Sequence, residues 1–325
     1  MLSNAEDVIP GRRAVSSPFS EARFFEDIRS TAAALHAAFS EDVTRRVLET
    51  FADDFSMGAT VWKATERPGD HLSYRFFARS RKDSIGAALQ SGLLAARNDC
   101  TALMTRWTEA YPSSAQSCDF DASNGVAKTW LYLGKPSPAD EVLGQPFVPV
   151  TLRDRIAAFH RAGLDYVRFV AADHRHRSVN VYFRARGPIS MAQCARILAL
   201  VDVVPPAPEL LAEMRSFLPD DFCVAVTVSL DTGQLERACF YVVGLPAGRF
   251  PTLPERVSRF FAVAPSLDAT TVHVIGWSFG RAGGTYIKAE KGYVGDMAAL
   301  LQDWDSYFSG SSQRDPVLTA AANPV

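Results

Sequence analysis

Five times along the 325 residues, two β-type segments joined by a short turn are followed by a helical stretch. The paired segments lie near 57–79, 115–133, 164–185, 222–242 and 270–291. Their centres recur roughly every 50–57 residues, an internal structural repeat without repetition of side-chain identity. Turn chemistry joins the pairs at Arg67-Pro68-Gly69-Asp70, Ser123-Asn124-Gly125, Asp231-Thr232-Gly233 and Ala282-Gly283-Gly284. Ten antiparallel strands curl or close, and closure removes the edges that would otherwise pair with other chains. Helices are expected at Glu21–Phe39, Glu41–Ala52, Asp83–Leu94, Leu152–Ala162, Met191–Val201, Pro208–Phe217, Pro254–Val263 and Asp296–Tyr307. Ser40 and Thr151 read as helix starts. The fold expected is α+β: a closed, ten-stranded antiparallel β-barrel ringed by helices in five αββα repeats.

The second strand of each pair, read with period two, divides into unlike faces. Leu72, Tyr74, Phe76 and Ala78 oppose Ser73, Arg75, Phe77 and Arg79. Ala127, Thr129, Leu131 and Leu133 oppose Lys128, Trp130 and Tyr132. Arg177, Val179, Val181 and Phe183 oppose His176, Ser178, Asn180, Tyr182 and Arg184. Ala238, Phe240 and Val242 oppose Arg237, Cys239 and Tyr241, and Ile287 and Ala289 oppose Tyr286, Lys288 and Glu290. The intervening helices need an apolar surface for their stripes, and only the apolar sheet face offers one. The helices therefore cover the outside, and the polar, aromatic-rich face looks into a lumen.

Composition excludes several classes. The net charge is −2, so nothing in bulk points to nucleic acid. No apolar run approaches the length of a membrane span, and residues 1–20 lack the apolar core of a signal peptide. The five cysteines are widely spaced without a CxxC, which reads as reduced thiols of a cytoplasmic protein. One barrel domain is expected over 21–308, with flexible tails at 1–20 and 309–325. A closed barrel has no edge to pair, so a monomer is expected.

Arg75, Lys128, Arg237 and Lys288 come from four hairpins, and Lys63 joins them from a fifth strand. Converging cations are unfavourable without an anion, and a diphosphate suits the Arg fork and the Lys point charge. Asn180, Tyr182 and His176 add donors. Trp130, Tyr182 and Phe77 offer π faces to an allylic cation and keep water from it. Bulky Trp130 and Trp62 favour a five-carbon chain over a ten-carbon one. Gly276-Trp277-Ser278-Phe279-Gly280 matches the hydrolase elbow, but a turn and a strand follow instead of a helix, and the last histidine, His273, precedes the serine. Asp53-Asp54 and Asp220-Asp221 do not complete a DDxxD, and neither HExxH nor GxGxxG is present in a suitable context. The non-enzymatic alternative is a barrel that only binds a small aromatic or phosphorylated ligand.

Several long stretches resemble one family: Gly58-Ala59-Thr60-Val61-Trp62-Lys63, Leu72-Ser73-Tyr74-Arg75-Phe76-Phe77, Ala127-Lys128-Thr129-Trp130-Leu131-Tyr132, the run His174 to Phe183, Ile275 to Arg281, and Tyr286-Ile287-Lys288-Ala289-Glu290. The chain, from about residue 21 to residue 310, resembles the aromatic prenyltransferases of the αββα-barrel (ABBA) type. It is most similar to the 4-hydroxyphenylpyruvate dimethylallyltransferases of aminocoumarin antibiotic pathways. The resemblance implies a diphosphate site at Arg75, Lys128, Asn180, Arg237 and Lys288 with Lys63 nearby. It implies an acceptor region near Arg168 and Glu290, lined by Trp130, Phe77, Tyr182 and Cys223, with Arg168 on the acceptor carboxylate. Glu290 is the first candidate for the base, and Arg75 stands where some relatives hold Mg²⁺ with an Asp. A metal-independent reaction with no cofactor is therefore expected: dimethylallyl transfer to the carbon ortho to a phenolic hydroxyl. Tyrosine, 4-hydroxybenzoate, a hydroxynaphthalene or a flavonoid are alternative acceptors.

Overall fold

The computed structural model describes residues 18–78, 82–95, 98–246, 248–281 and 284–303. Most of both expected tails, Arg79, and the Ala282-Gly283 turn lie outside these residues. The strands are β1 (Ala59–Thr65), β2 (Ser73–Phe77), β3 (Ala115–Asp121), β4 (Gly125–Pro138), β5 (Tyr166–Asp173), β6 (Ser178–Arg186), β7 (Asp221–Ser229), β8 (Leu235–Val243), β9 (His273–Gly280) and β10 (Tyr286–Val294). Each pairs antiparallel with its neighbours in sequence, and β10 returns to pair with β1. The sheet is a closed ten-stranded barrel, as the repeat implies.

The period-two reading explains why it closes with helices outside. Leu72, Tyr74, Phe76, Leu131, Val179, Val181, Phe183, Ala238 and Phe240 all join the main apolar core between barrel and helices. One part of it is aromatic: Phe24 and Phe55 of the first helices meet Trp62, Tyr74, Phe76 and Phe120 of β1–β3. Each such Phe removed from water contributes about 2–3 kcal/mol. Trp62 thus faces outward, fully buried, stacked on Phe24 at 4.9 Å and donating its indole N–H to the Pro265 carbonyl. The expectation that it narrows the lumen is corrected. On β1 both faces carry large residues, so alternation alone does not say which one looks inward.

The helices begin where side chains satisfy free backbone N–H groups. Ser40 accepts from the Val43 N–H and Asn98 from the Thr101 N–H. The Asn98 cap opens a helix, Asp99–Ala110, absent from the sequence reading. Thr151 is not a cap: Pro149 starts a short helix at Val150–Arg153, and a second follows at Ile156–Arg161. Proline's fixed φ begins the turn two residues earlier than the threonine would.

Candidate active site

Residues at or beside four of the hairpin turns, Arg67 and Asp70, Asp121, Arg175 and His176, and Glu236, face into the lumen. The lumen holds a cavity of about 320 Å³. Lys63, Arg75, Lys128, Tyr182, Arg237, Lys288 and Glu290, with Phe77, Trp130 and Cys223, all line it. Strand pairing explains the convergence: in-register neighbours place Arg75 opposite Asp119, Asp119 opposite Lys128, and Lys63 opposite Glu290.

The lining is not a bare cation cluster. Beside the seven cations Lys63, Arg67, Arg75, Lys128, Arg175, Arg237 and Lys288 stand six carboxylates, Asp70, Asp119, Asp121, Asp173, Glu236 and Glu290. Most pairs are closed. The Asp119 carboxylate, buried, accepts from Arg75 Nε and Lys63 Nζ, and Arg75 Nη2 lies 3.5 Å from its second oxygen. Arg75 Nη2 also donates to Glu290 Oε1 at 3.1 Å, and Lys63 Nζ lies 3.8 Å from the same oxygen. Lys128 pairs with Asp173 at 3.0 Å, Arg175 with Asp121 at 2.9 Å, and Arg67 with Asp70 at 2.9 Å. The expected concentration of uncompensated charge is therefore corrected: the first strands of the hairpins, which alternation assigns less clearly, supply Asp119 and Asp173.

Two cations differ. Among the described residues, no carboxylate lies within 4.0 Å of Arg237 or Lys288. Arg237 stands 5.4 Å over the Tyr286 ring, and Lys288 lies 5.7 Å from that ring and donates to the Tyr241 hydroxyl at 3.4 Å. Tyr241 has room because Gly276 faces it: a Cβ there would come within 2.7 Å of the ring and 2.9 Å of the Cys239 sulfur. The Gly276–Gly280 motif is thus a strand face of small residues, Gly276, Ser278 and Gly280, opposite Tyr241, Cys239 and Arg237 of β8, with Trp277 and Phe279 turned to the outer core, and not a nucleophile elbow.

Electrostatics follow this division. Burial, and next Arg75, lower the Lys63 ammonium to about 8, although Asp119 and Glu290 oppose them. Burial works to raise the Asp119 carboxyl, but Arg75 and Lys63 outweigh it and hold the group at about 2. Burial opposes the Arg75 charge, and Asp119 and Glu290 more than restore it. Burial likewise works to raise the Tyr286 phenol, but Lys288 and Arg237 prevail and lower it. Burial pushes the phenols of Tyr182 and Tyr241 well up.

Below the ions lies an aromatic layer. Arg75 sits 4.1 Å over the Trp130 ring, which packs on Tyr182 at 4.7 Å and on Phe169 at 6.3 Å. Phe77, Trp130 and Phe169 also wall a second void of about 20 Å³.

Three expected residues are placed differently. Arg168 does not line the cavity. It is the extra residue of a bulge between Val167 and Phe169, fully buried, with its guanidinium 4.7 Å over the Tyr132 ring and donating to the Tyr132 hydroxyl. Asn180 is buried off the cavity, its Oδ1 accepting from Thr227, which does line it. His176 lines the cavity, but at its exposed rim. Its side chain is 69% exposed and its ring meets Asp173 at 3.1 Å. The strand begins only at Ser178, after Arg177 takes a positive φ, so the alternation does not reach back to His176. Asp119, Asp173, Thr227 and Phe169 also line the cavity and were not singled out from the sequence, whereas Tyr241 and Tyr286, placed on the lumen face by alternation, line it as well. For Asp119 the signal was present: Ser117, Asp119 and Asp121 alternate with Cys118 and Phe120 on β3.

Comparison with known proteins agrees with this architecture. A family model described as "Aromatic prenyltransferase Orf2" matches residues 19–305. A 4-hydroxyphenylpyruvate 3-dimethylallyltransferase from Streptomyces niveus is 46% identical over 307 residues, covering 94% of this chain and 95% of the relative. An aromatic prenyltransferase from Sclerotinia sclerotiorum is 38% identical over 300 residues, covering 90% and 97%. Among solved structures, a 5-dimethylallyl tryptophan synthase from Streptomyces coelicolor, in complex with DMASPP and Trp, superposes with a TM-score of 0.50 at 12% identity. That match covers 89% of this chain and 95% of the other, and it speaks to the fold alone.

Proposed function

This chain belongs to the aromatic prenyltransferase Orf2 family, and from that premise we propose that it transfers a dimethylallyl group from dimethylallyl diphosphate to 4-hydroxyphenylpyruvate, at the ring carbon ortho to the hydroxyl. The 46% identity to the Streptomyces niveus enzyme, across nearly the whole of both chains, supports the donor and acceptor. The observation that carries the site is the pair Arg237 and Lys288, cations with no carboxylate within 4.0 Å among the described residues, beside a layer of aromatic rings.

Arg237 and Lys288 take the diphosphate, and Tyr286 and Tyr241 flank it. Lys63 on β1, Arg75 on β2 and Lys128 on β4, each paired with a carboxylate, contribute less. As the allylic C–O bond breaks, its electrons pass to the diphosphate, whose growing charge meets fixed cations that need no reorganisation. The allylic cation lies against Trp130 and Tyr182, whose π faces stabilise it and exclude water. The phenol ring, held at van der Waals distance, attacks through its ortho carbon. Its proton then passes to the Glu290 carboxylate, restoring aromaticity. Arg75, held by Asp119 and Glu290, puts a fixed guanidinium where a carboxylate would be needed to hold a metal, so the reaction runs without a cofactor. Arg168 reaches the acceptor carboxylate only if its guanidinium leaves Tyr132. As the barrel has no free edge and the cysteines are buried free thiols, the protein acts as a cytoplasmic monomer.

The test is a product assay with both substrates, one arm containing EDTA and one Mg²⁺. Gain of one C5H8 unit in both arms is expected. Product only with Mg²⁺ would remove the role given to Arg75. No product from any phenol with five- or ten-carbon donors would leave a ligand-binding barrel.

A further inference from the structure

Asp119 is the most buried carboxylate of the cavity, its side chain only 3% exposed, and the transfer chemistry gives it no direct part. It stands on β3 between β2 and β4, bonded to two cations that come from two other strands. Arg75 spends Nε on Asp119 and has Nη2 left for Glu290. Without Asp119, two cations would share Glu290 as their one carboxylate within 4.0 Å among the described residues.

We infer that Asp119 is a positioning residue: it joins Arg75 and Lys63 into one fixed unit, aims Arg75 at Glu290, and keeps both cations from holding the diphosphate too tightly to release it. This rests on the lumen being the transfer site. The logic is electrostatic. A guanidinium gripped through Nε has one orientation left, which fixes the carboxylate it meets through Nη2. The same carboxylate subtracts a full negative charge from a site that must bind a diphosphate and then give it up. Removing it should thus have opposite effects on binding and on turnover. The groups facing Lys63 are Arg75 from β2, Asp119 from β3 and Glu290 from β10, and Trp130 from β4 presents its ring. With Asp119 neutral, Lys63 loses its stronger support and deprotonates at lower pH, so turnover weakens first on the alkaline side.

The experiment compares wild type, Asp119→Asn and Asp119→Glu in three readouts: steady-state kinetics, calorimetric affinity for inorganic pyrophosphate, and the pH profile of kcat. For Asp119→Asn, kcat should fall by about tenfold or more while pyrophosphate binds several-fold tighter, the sign expected on deleting a like charge from an anion site. Its alkaline limb should move below that of wild type, because Lys63 has lost the carboxylate that Asp119 places against its ammonium. Asp119→Glu keeps the charge and displaces Arg75, so kcat falls while pyrophosphate affinity stays at the wild-type value. It also decides the matter if the Asn variant does not fold. Unchanged kcat in Asp119→Glu, or pyrophosphate affinity and kcat lost together in Asp119→Asn, would overturn the assignment. Pyrophosphate affinity is read without turnover, so a wild-type protein that makes no product fails the proposed function separately.

Discussion

On one side of the lumen Arg75 and Lys63 are tied to Asp119 and Glu290, and Lys128 to Asp173. On the other, Arg237 and Lys288 rest on tyrosines with no carboxylate within 4.0 Å among the described residues. Residue type does not distinguish the two sides, since each has an arginine and a lysine. Their neighbours do. A cation that already has a buried partner has most of its field spent, whereas one on an aromatic ring keeps it for an incoming anion. A count of lumen cations therefore overstates what the site offers a diphosphate, and the location of the unpaired ones says where it lands.

Substitutions can break this contrast. Arg237→Ala should have the largest effect, lowering kcat/KM by on the order of 10²–10³ through both donor binding and departure of the leaving group. Steady-state kinetics with varied donor would show it. Next, Glu290→Gln should lower kcat by about 10²-fold with donor KM unchanged or reduced, because it removes the base and one lumen charge. Lys128→Ala should cost about tenfold at most, because Asp173 already satisfies its ammonium. A loss as large as that of Arg237→Ala would erase the distinction between the sides. Trp130→Ala sharpens a different boundary: it opens the main cavity toward the void behind Phe77 and Phe169. The ratio of ten- to five-carbon donor use should rise, and stability should drop by about 3–5 kcal/mol, read by denaturant unfolding.

The barrel was legible because one strand in each hairpin is cleanly two-faced, and that regularity also delivered Lys128, Trp130, Tyr182, Arg237, Lys288 and Glu290 to the cavity. What escaped did so where period two is interrupted or ambiguous. A bulge adds Arg168 to β5, and another register shift lets Ala127 line the cavity although alternation puts it outside. His176 belongs to a turn, and Trp62 to a strand with large residues on both faces. Charge pairing is harder still. Arg75 and Asp119 lie 44 residues apart, and only strand order and register make them neighbours.

Those pairs also constrain how such a lumen is inherited. Removing one member of a buried ion pair costs about 3–5 kcal/mol, a large part of the stability of a typical fold. Exchanging Arg75 or Asp119 singly would pass through a weakened intermediate, whereas Arg237 and Lys288 have no such partner to strand among the described residues. Descent can revise the open side one residue at a time, limited only by the chemistry. The paired side changes by compensated double steps or stays as it is.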